Sequence, residues 1–191
     1  MNTTEHKVRD PTAIIIYTDG ACSNNQVGNW AGSSYVMIDP NNEGKVETWN
    51  YSARGSNNTA ELEAIQGALY AARQKDINDV VIKSDSLYAI NVIAGTYKAK
   101  KNTELILKIR NNLKAMTDLG WTIRLEHVEA HTGNESEDAK YNALADKLAK
   151  EAARREFECE VMDTINVEDI NKGVYYITGA DFNNNTLTLQ H

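Results

Sequence analysis

The chain has 191 residues, 41% hydrophobic and 25% charged, a balance ordinary for a soluble globular protein with a core of its own. No apolar run approaches the length of a membrane span, and the two cysteines, Cys22 and Cys159, form neither a CxxC pair nor a metal-type spacing. The net charge of −7 argues against a general nucleic-acid binder, but six acids against one base in residues 157–191 account for −5 of it, leaving the rest of the chain close to neutral.

The first eleven residues are polar, without an apolar core of signal-peptide length, and are expected to be a flexible N-terminus on a cytoplasmic protein. Thr12 to Thr18 is a β-branched run that reads as a buried strand ended by Asp19-Gly20. Trp30 to Ile38 and Lys45 to Ala53 read as two more strands, joined by the turn-rich Asp39–Gly44. Asn57 or Asn58 is placed to cap a helix running to Gln74. Val80 to Ile82 is a short strand ended by Ser84-Asp85, followed by a helix over Leu87 to Ile93. Thr103 to Thr117 has Leu105, Ile109, Leu113 and Met116 on one helical face. Trp121 to Val128 is a strand, and Tyr141 to about Arg155 a final helix. The order predicts an α/β fold with a mixed sheet and helices on its faces. Beyond residue 156, Val174 to Thr178 and Thr186 to Leu189 read as a hairpin, making 157–191 an acidic extension with a small β appendage. An exposed edge there would allow tail-mediated pairing of two chains, although a monomer is the expectation.

Four carboxylates stand out. Asp19 and Asp85 each follow a core strand, where functional groups collect in open α/β sheets, although an Asp in that position also serves simply to turn the chain. Glu61 begins the apolar stripe Ala64, Ile65, Ala68, Leu69 and Ala72, so it faces the core, whereas Glu63 lies off that stripe and is free to face water. A carboxylate on a core face is costly unless paired or bound to a cation. Asp146 lies mid-helix among Ala143, Ala145 and Ala149, small residues that permit close packing. Converging at one sheet edge, four oxygen donors suit Mg²⁺ or Mn²⁺. Two such ions about 3.5–4 Å apart form the clamp used in phosphodiester hydrolysis.

In their sequence contexts these residues resemble the type 1 ribonuclease H family. The matching segments are Tyr17-Thr-Asp-Gly-Ala-Cys-Ser-Asn-Asn25, Ser56-Asn-Asn-Thr-Ala-Glu-Leu62, Ser84-Asp-Ser-Leu-Tyr88, Val128-Glu-Ala-His-Thr-Gly133 and Tyr141-Asn-Ala-Leu-Ala-Asp-Lys-Leu-Ala149, in the family's order. The resemblance implies a catalytic domain over residues 12–156 with a ribonuclease H-like five-stranded sheet. It implies a two-metal endonuclease, with two Mg²⁺ per site in the substrate complex, that cuts the RNA of RNA–DNA hybrids to 5′-phosphate and 3′-hydroxyl ends. Asp19, Glu61, Asp85 and Asp146 match the metal-binding quartet, and His131 matches a loop histidine that assists proton transfer and product release. Asn25, Asn57 and Asn58 match residues that hold the hybrid, and Ser56 a position in the DNA-phosphate pocket.

The chain departs from the family pattern in three places. The basic helical protrusion is reduced to Gly95-Thr-Tyr-Lys-Ala-Lys-Lys101, where Lys98, Lys100 and Lys101 are candidates to replace it. Asn134-Glu-Ser-Glu-Asp138 is an insertion between His131 and Asp146. The acidic segment 157–191 has no counterpart in the family. The competing reading is an inactive or weakly active hybrid-binding module on the same fold, which loss of a carboxylate would mark.

Overall fold

A computed structural model describes the backbone of residues 13–25, 28–129, 136–169, 176–181 and 186–190, and the side chains of 13–23, 29–129 and 136–156. The expected flexible N-terminus therefore lies outside the described residues, as do the side chains of Asn25 and the C-terminal segment, and the whole of His131.

Three strands, β1 (Ile14–Asn25), β2 (Gly28–Asp39) and β3 (Lys45–Arg54), form an antiparallel meander. Helix α1 (Asn57–Gln74) leads to β4 (Asp79–Ser84), and helices α2 (Leu87–Ala94) and α3 (Thr103–Asp118) lead to β5 (Thr122–His127). The β4 strand joins β1 in parallel and β5 joins β4 in parallel, so the sheet order is β3-β2-β1-β4-β5. This is the mixed five-stranded α/β sheet expected from the element order.

Alternation along the strands divides the core between the two faces. On one face Ile16, Tyr35, Met37, Val80 and Ile82 pack against Leu62, Ile65 and Leu69 of α1 and against α2 and α3. On the other, Tyr17, Val36 and Ile38 pack against Ala145, Tyr141, Leu144 and Leu148 of the last helix, α4 (Glu137–Asp169). Helices thus cover both faces. The apolar face of α3 is close to the one expected: Ile106, Ile109 and Met116 are buried, and Leu105 and Leu113 are packed at the margin.

Several boundaries differ from the sequence reading. The β1 strand does not end at Asp19-Gly20 but runs on to Asn25, because β2 continues to pair with it as far as Asn25↔Gly28. What does end there is the parallel ladder with β4, whose last pair is Thr18↔Ser84. Asp19 therefore still stands at an opening in the sheet. The cap of α1 is Ser56, one residue before the expected asparagines; its hydroxyl accepts the Thr59 N–H at 3.2 Å. The α4 helix starts four residues earlier than expected, at Glu137, and continues past residue 156 to Asp169. Residues 156–169 contain no Gly or Pro to stop it. After it, β6 (Tyr176–Asp181) and β7 (Thr186–Gln190) pair antiparallel as a separate two-stranded sheet.

Candidate active site

Two glycines bring helices close enough to build the site. A Cβ on Gly20 would collide with the backbone nitrogen of Glu61, so only glycine lets the first turn of α1 rest on β1 beside Asp19. A Cβ on Gly32 would collide with the Ala149 carbonyl, so β2 likewise receives α4 at backbone contact, and Ser34 donates its hydroxyl to the Ala145 carbonyl at 2.6 Å. Asp85 is placed by a turn between β4 and α2. Ser84 is buried and its hydroxyl accepts the Ser86 N–H at 3.1 Å, while the Ser86 hydroxyl caps α2 by accepting the Ala89 N–H.

The result is a convergence of Asp19, Glu61 and Asp85, with one carboxylate oxygen of each within 4.8 Å of the others. Asp19 and Glu61 are only 4% and 5% exposed, and Asp19 Oδ2 and Glu61 Oε2 are buried without a hydrogen-bond partner. Burial first, then the charges of Asp85 and Asp146, push the Asp19 pKa well above the usual carboxylate range; the Gly20 N–H offsets this only in part. Glu61 is raised for the same reasons, by burial and then by the charges of Asp19 and Asp85. Asp146 joins the group through its charge beside Asp19, but it also accepts Lys150 Nζ at 2.8 Å on its own helix.

Buried carboxylates that repel one another and leave oxygens unpartnered are the donor set a hard divalent cation satisfies. The residues therefore fit Mg²⁺ or Mn²⁺ by chemistry. All four carboxylates are present, which removes the mark that would identify an inactive module.

Three features were not anticipated. Asn142, 3% exposed, donates Nδ2 to Asp85 Oδ2 at 3.0 Å and keeps a buried, unpartnered Oδ1. Its position one turn before Asp146 was the available signal. Glu63 is half-buried rather than solvated, with its pKa raised by burial, because the Ser33 hydroxyl and the adjoining sheet lie beside it. Thr59 links the start of α1 to the start of α3: its hydroxyl lies 3.0 Å from Ser56 Oγ and donates to Asn102 Oδ1 at 3.1 Å. Asn102 adopts a left-handed conformation (φ 57°), which an asparagine tolerates well.

Ser56, Asn57 and Asn58 are exposed at the N-terminus of α1. Lys98, Lys100 and Lys101 are exposed on the loop between α2 and α3, and that loop carries no helical protrusion.

The RNase H family model matches residues 11–154. The Ribonuclease H of Prosthecochloris aestuarii is 34% identical over 146 residues, covering 74% of this chain and 95% of that protein. Among solved structures, an RNase H1 isolated from compost by a metagenomic approach superposes with a TM-score of 0.60 at 27% identity, covering 76% of this chain and 98% of its own. The same compost enzyme in complex with an RNA/DNA hybrid gives a TM-score of 0.56 at 26% identity, over 75% of this chain and 99% of the other. Match, relatives and carboxylate site agree: this chain belongs to the RNase H family and is a ribonuclease H enzyme.

Proposed function

We propose that the enzyme cuts the RNA strand of RNA–DNA hybrids internally, with divalent cations held by Asp19, Glu61, Asp85 and Asp146, leaving 5′-phosphate and 3′-hydroxyl ends. The observation that carries this reading is the unpartnered Asp19 Oδ2 and Glu61 Oε2, buried side by side within reach of Asp85. The compost relative bound to a hybrid supports the choice of substrate. Bound there, Mg²⁺ supplies polarisation of the scissile phosphodiester and lowers the pKa of the attacking water.

The chain's own residues do the rest. Asn142 holds one oxygen of Asp85 and so sets the direction in which the other points. Asn57 and Asn58, at the positive end of α1, offer amides that can both donate to and accept from ribose hydroxyls and base edges, and the 2′-hydroxyl is what marks RNA. The Thr59 hydroxyl joins Ser56 to Asn102 Oδ1 and so fixes the Asn102 amide, whose NH2 is a donor suited to a DNA phosphate oxygen. Lys98, Lys100 and Lys101 add positive charge for the backbone where the protrusion is missing. His131 assists proton transfer and product release.

A labelled RNA–DNA hybrid, assayed with Mg²⁺ beside single-stranded RNA, double-stranded RNA and DNA, tests the reading. Internal cleavage of only the RNA in the hybrid, abolished in Asp19→Asn, is expected. Full Mg²⁺-dependent cleavage by Asp19→Asn would show that the quartet is wrongly assigned.

A further inference from the structure

The first turn of α4 is tied to the sheet by one carboxylate. Ser136 starts the helix, its hydroxyl accepting the Ala139 N–H at 3.1 Å. Asp138 follows, and its Oδ1 accepts both the Tyr17 hydroxyl at 2.6 Å and Lys83 Nζ at 2.7 Å. Tyr17 and Lys83 are direct partners across the parallel β1–β4 ladder. Each stands two residues before a site carboxylate, Asp19 on β1 and Asp85 after β4.

Both donors are sheltered, although the Asp138 side chain itself is 45% exposed. Tyr17 is 2% exposed and the Lys83 side chain 16%, so a loose partner would strand a buried donor or charge. Burial alone would raise the Asp138 pKa, but the Lys83 and Tyr17 hydrogen bonds outweigh it and hold the carboxyl below its usual range.

Asp138 is also in phase with the site. One helical turn on, Asn142 reaches Asp85, and one further turn on, Asp146 lies beside Asp19. Residues 138, 142 and 146 thus share one stripe of α4.

We propose that Asp138 is a positioning residue of the carboxylate site: by fixing the first turn of α4 to paired positions on β1 and β4, it sets the reach of Asn142 to Asp85 and of Asp146 to Asp19. The inference rests on the reading of that cluster as a divalent-cation site.

Binding of Mn²⁺ to the full chain without nucleic acid, followed by the paramagnetic resonance of free Mn²⁺, tests it directly. Asp138→Asn is expected to weaken Mn²⁺ binding by about tenfold, the low end of the range for groups that act behind metal ligands. Tyr17→Phe, which removes only the hydroxyl, shifts it less and in the same direction. Asp138→Asn combined with Lys83→Met removes the stranded cation as well. It should recover much of the melting temperature while the weakened Mn²⁺ binding persists, a split that a merely structural role would not produce. Mn²⁺ binding that is normal in Asp138→Asn, or that recovers together with the melting temperature in the double variant, overturns the inference. Glu61→Gln separates the two levels. If it weakens Mn²⁺ binding while Asp138→Asn does not, this inference alone fails; if Glu61→Gln has no effect, the cation-site reading fails and the inference with it.

Discussion

Asn142 donates its side-chain amide to Asp85 across 57 positions of sequence, and this 3.0 Å bond joins α4 directly to the carboxylate that follows β4. An oxygen held by an amide cannot swing away, so the second oxygen of Asp85 is presented in a fixed direction. Asn142→Ala is expected to weaken divalent-cation affinity by roughly ten- to a hundredfold, measured by calorimetric titration with Mg²⁺ or Mn²⁺. An unchanged affinity would mean that Asp85 is oriented by its own turn alone.

Glu61→Gln should have opposite effects on stability and activity. Burial and the neighbouring Asp19 and Asp85 force Glu61 to stay protonated in the folded metal-free enzyme, a cost at neutral pH that a glutamine of the same shape does not carry. In chelator the variant is expected to melt higher than the parent, and with Mg²⁺ to cleave hybrid negligibly. Calorimetry with and without chelator checks both halves; a lower melting temperature in chelator would show that Glu61 is stabilised by contacts other than a cation.

The metal-free enzyme should become less stable as pH rises. Asp19 and Glu61 are raised in the folded state to about 8 and about 10, whereas in the unfolded chain they titrate as ordinary carboxylates near 4. Below about pH 4 both groups are protonated in both states and no penalty applies. Above that, the unfolded chain loses its protons first, so stability falls as pH climbs toward the folded values. The two groups titrate as a pair, so one broad decline is expected, not two steps. Denaturant titrations in chelator from about pH 5 to about pH 9 measure it. Saturating Mg²⁺ should stabilise most at the alkaline end, where it replaces the fewest protons.

Gly32→Ala tests the docking of α4. The added methyl meets the backbone of Ala149 and, at 2.7 Å, the Ala153 nitrogen, and neither can rotate aside. A loss of about 1–3 kcal/mol is expected from the forced overpacking, read by denaturant unfolding, together with weaker Mg²⁺ binding as Asp146 moves away from Asp19. Stability equal to the parent would mean that α4 shifts without cost.

His131 is proposed to help turnover without being indispensable, since a cation held by the four carboxylates would itself lower the pKa of the attacking water. His131→Ala should reduce kcat by roughly ten- to a thousandfold, on the scale of general acid–base assistance, with little change in KM. An unchanged kcat in single-turnover and steady-state assays would place the proton transfer elsewhere.

Local patterns were enough to order the elements of the main sheet and to nominate its carboxylates. Strand alternation, the apolar stripe that begins at Glu61, and the Thr-Asp-Gly and Ser-Asp-Ser contexts are all written within a few consecutive residues. Some readings failed for local reasons, such as the Ser56 cap of α1, but for β1, Glu63 and Asp138 the deciding partner was distant in sequence. The β1 strand runs past Asp19 because β2 pairs with it there, and Glu63 is half-buried because Ser33 lies beside it, 30 positions away. The α4 helix begins at Glu137 rather than Tyr141, so a residue read as loop insertion becomes helical, and Asp138 binds Tyr17 from 121 positions away and Lys83 from 55. A single residue's type announces its charge and its helix or strand preference. Which buried donor it meets depends on how closely two backbones approach, and here Gly20 and Gly32 are what allow α1 and α4 to come that close to the sheet.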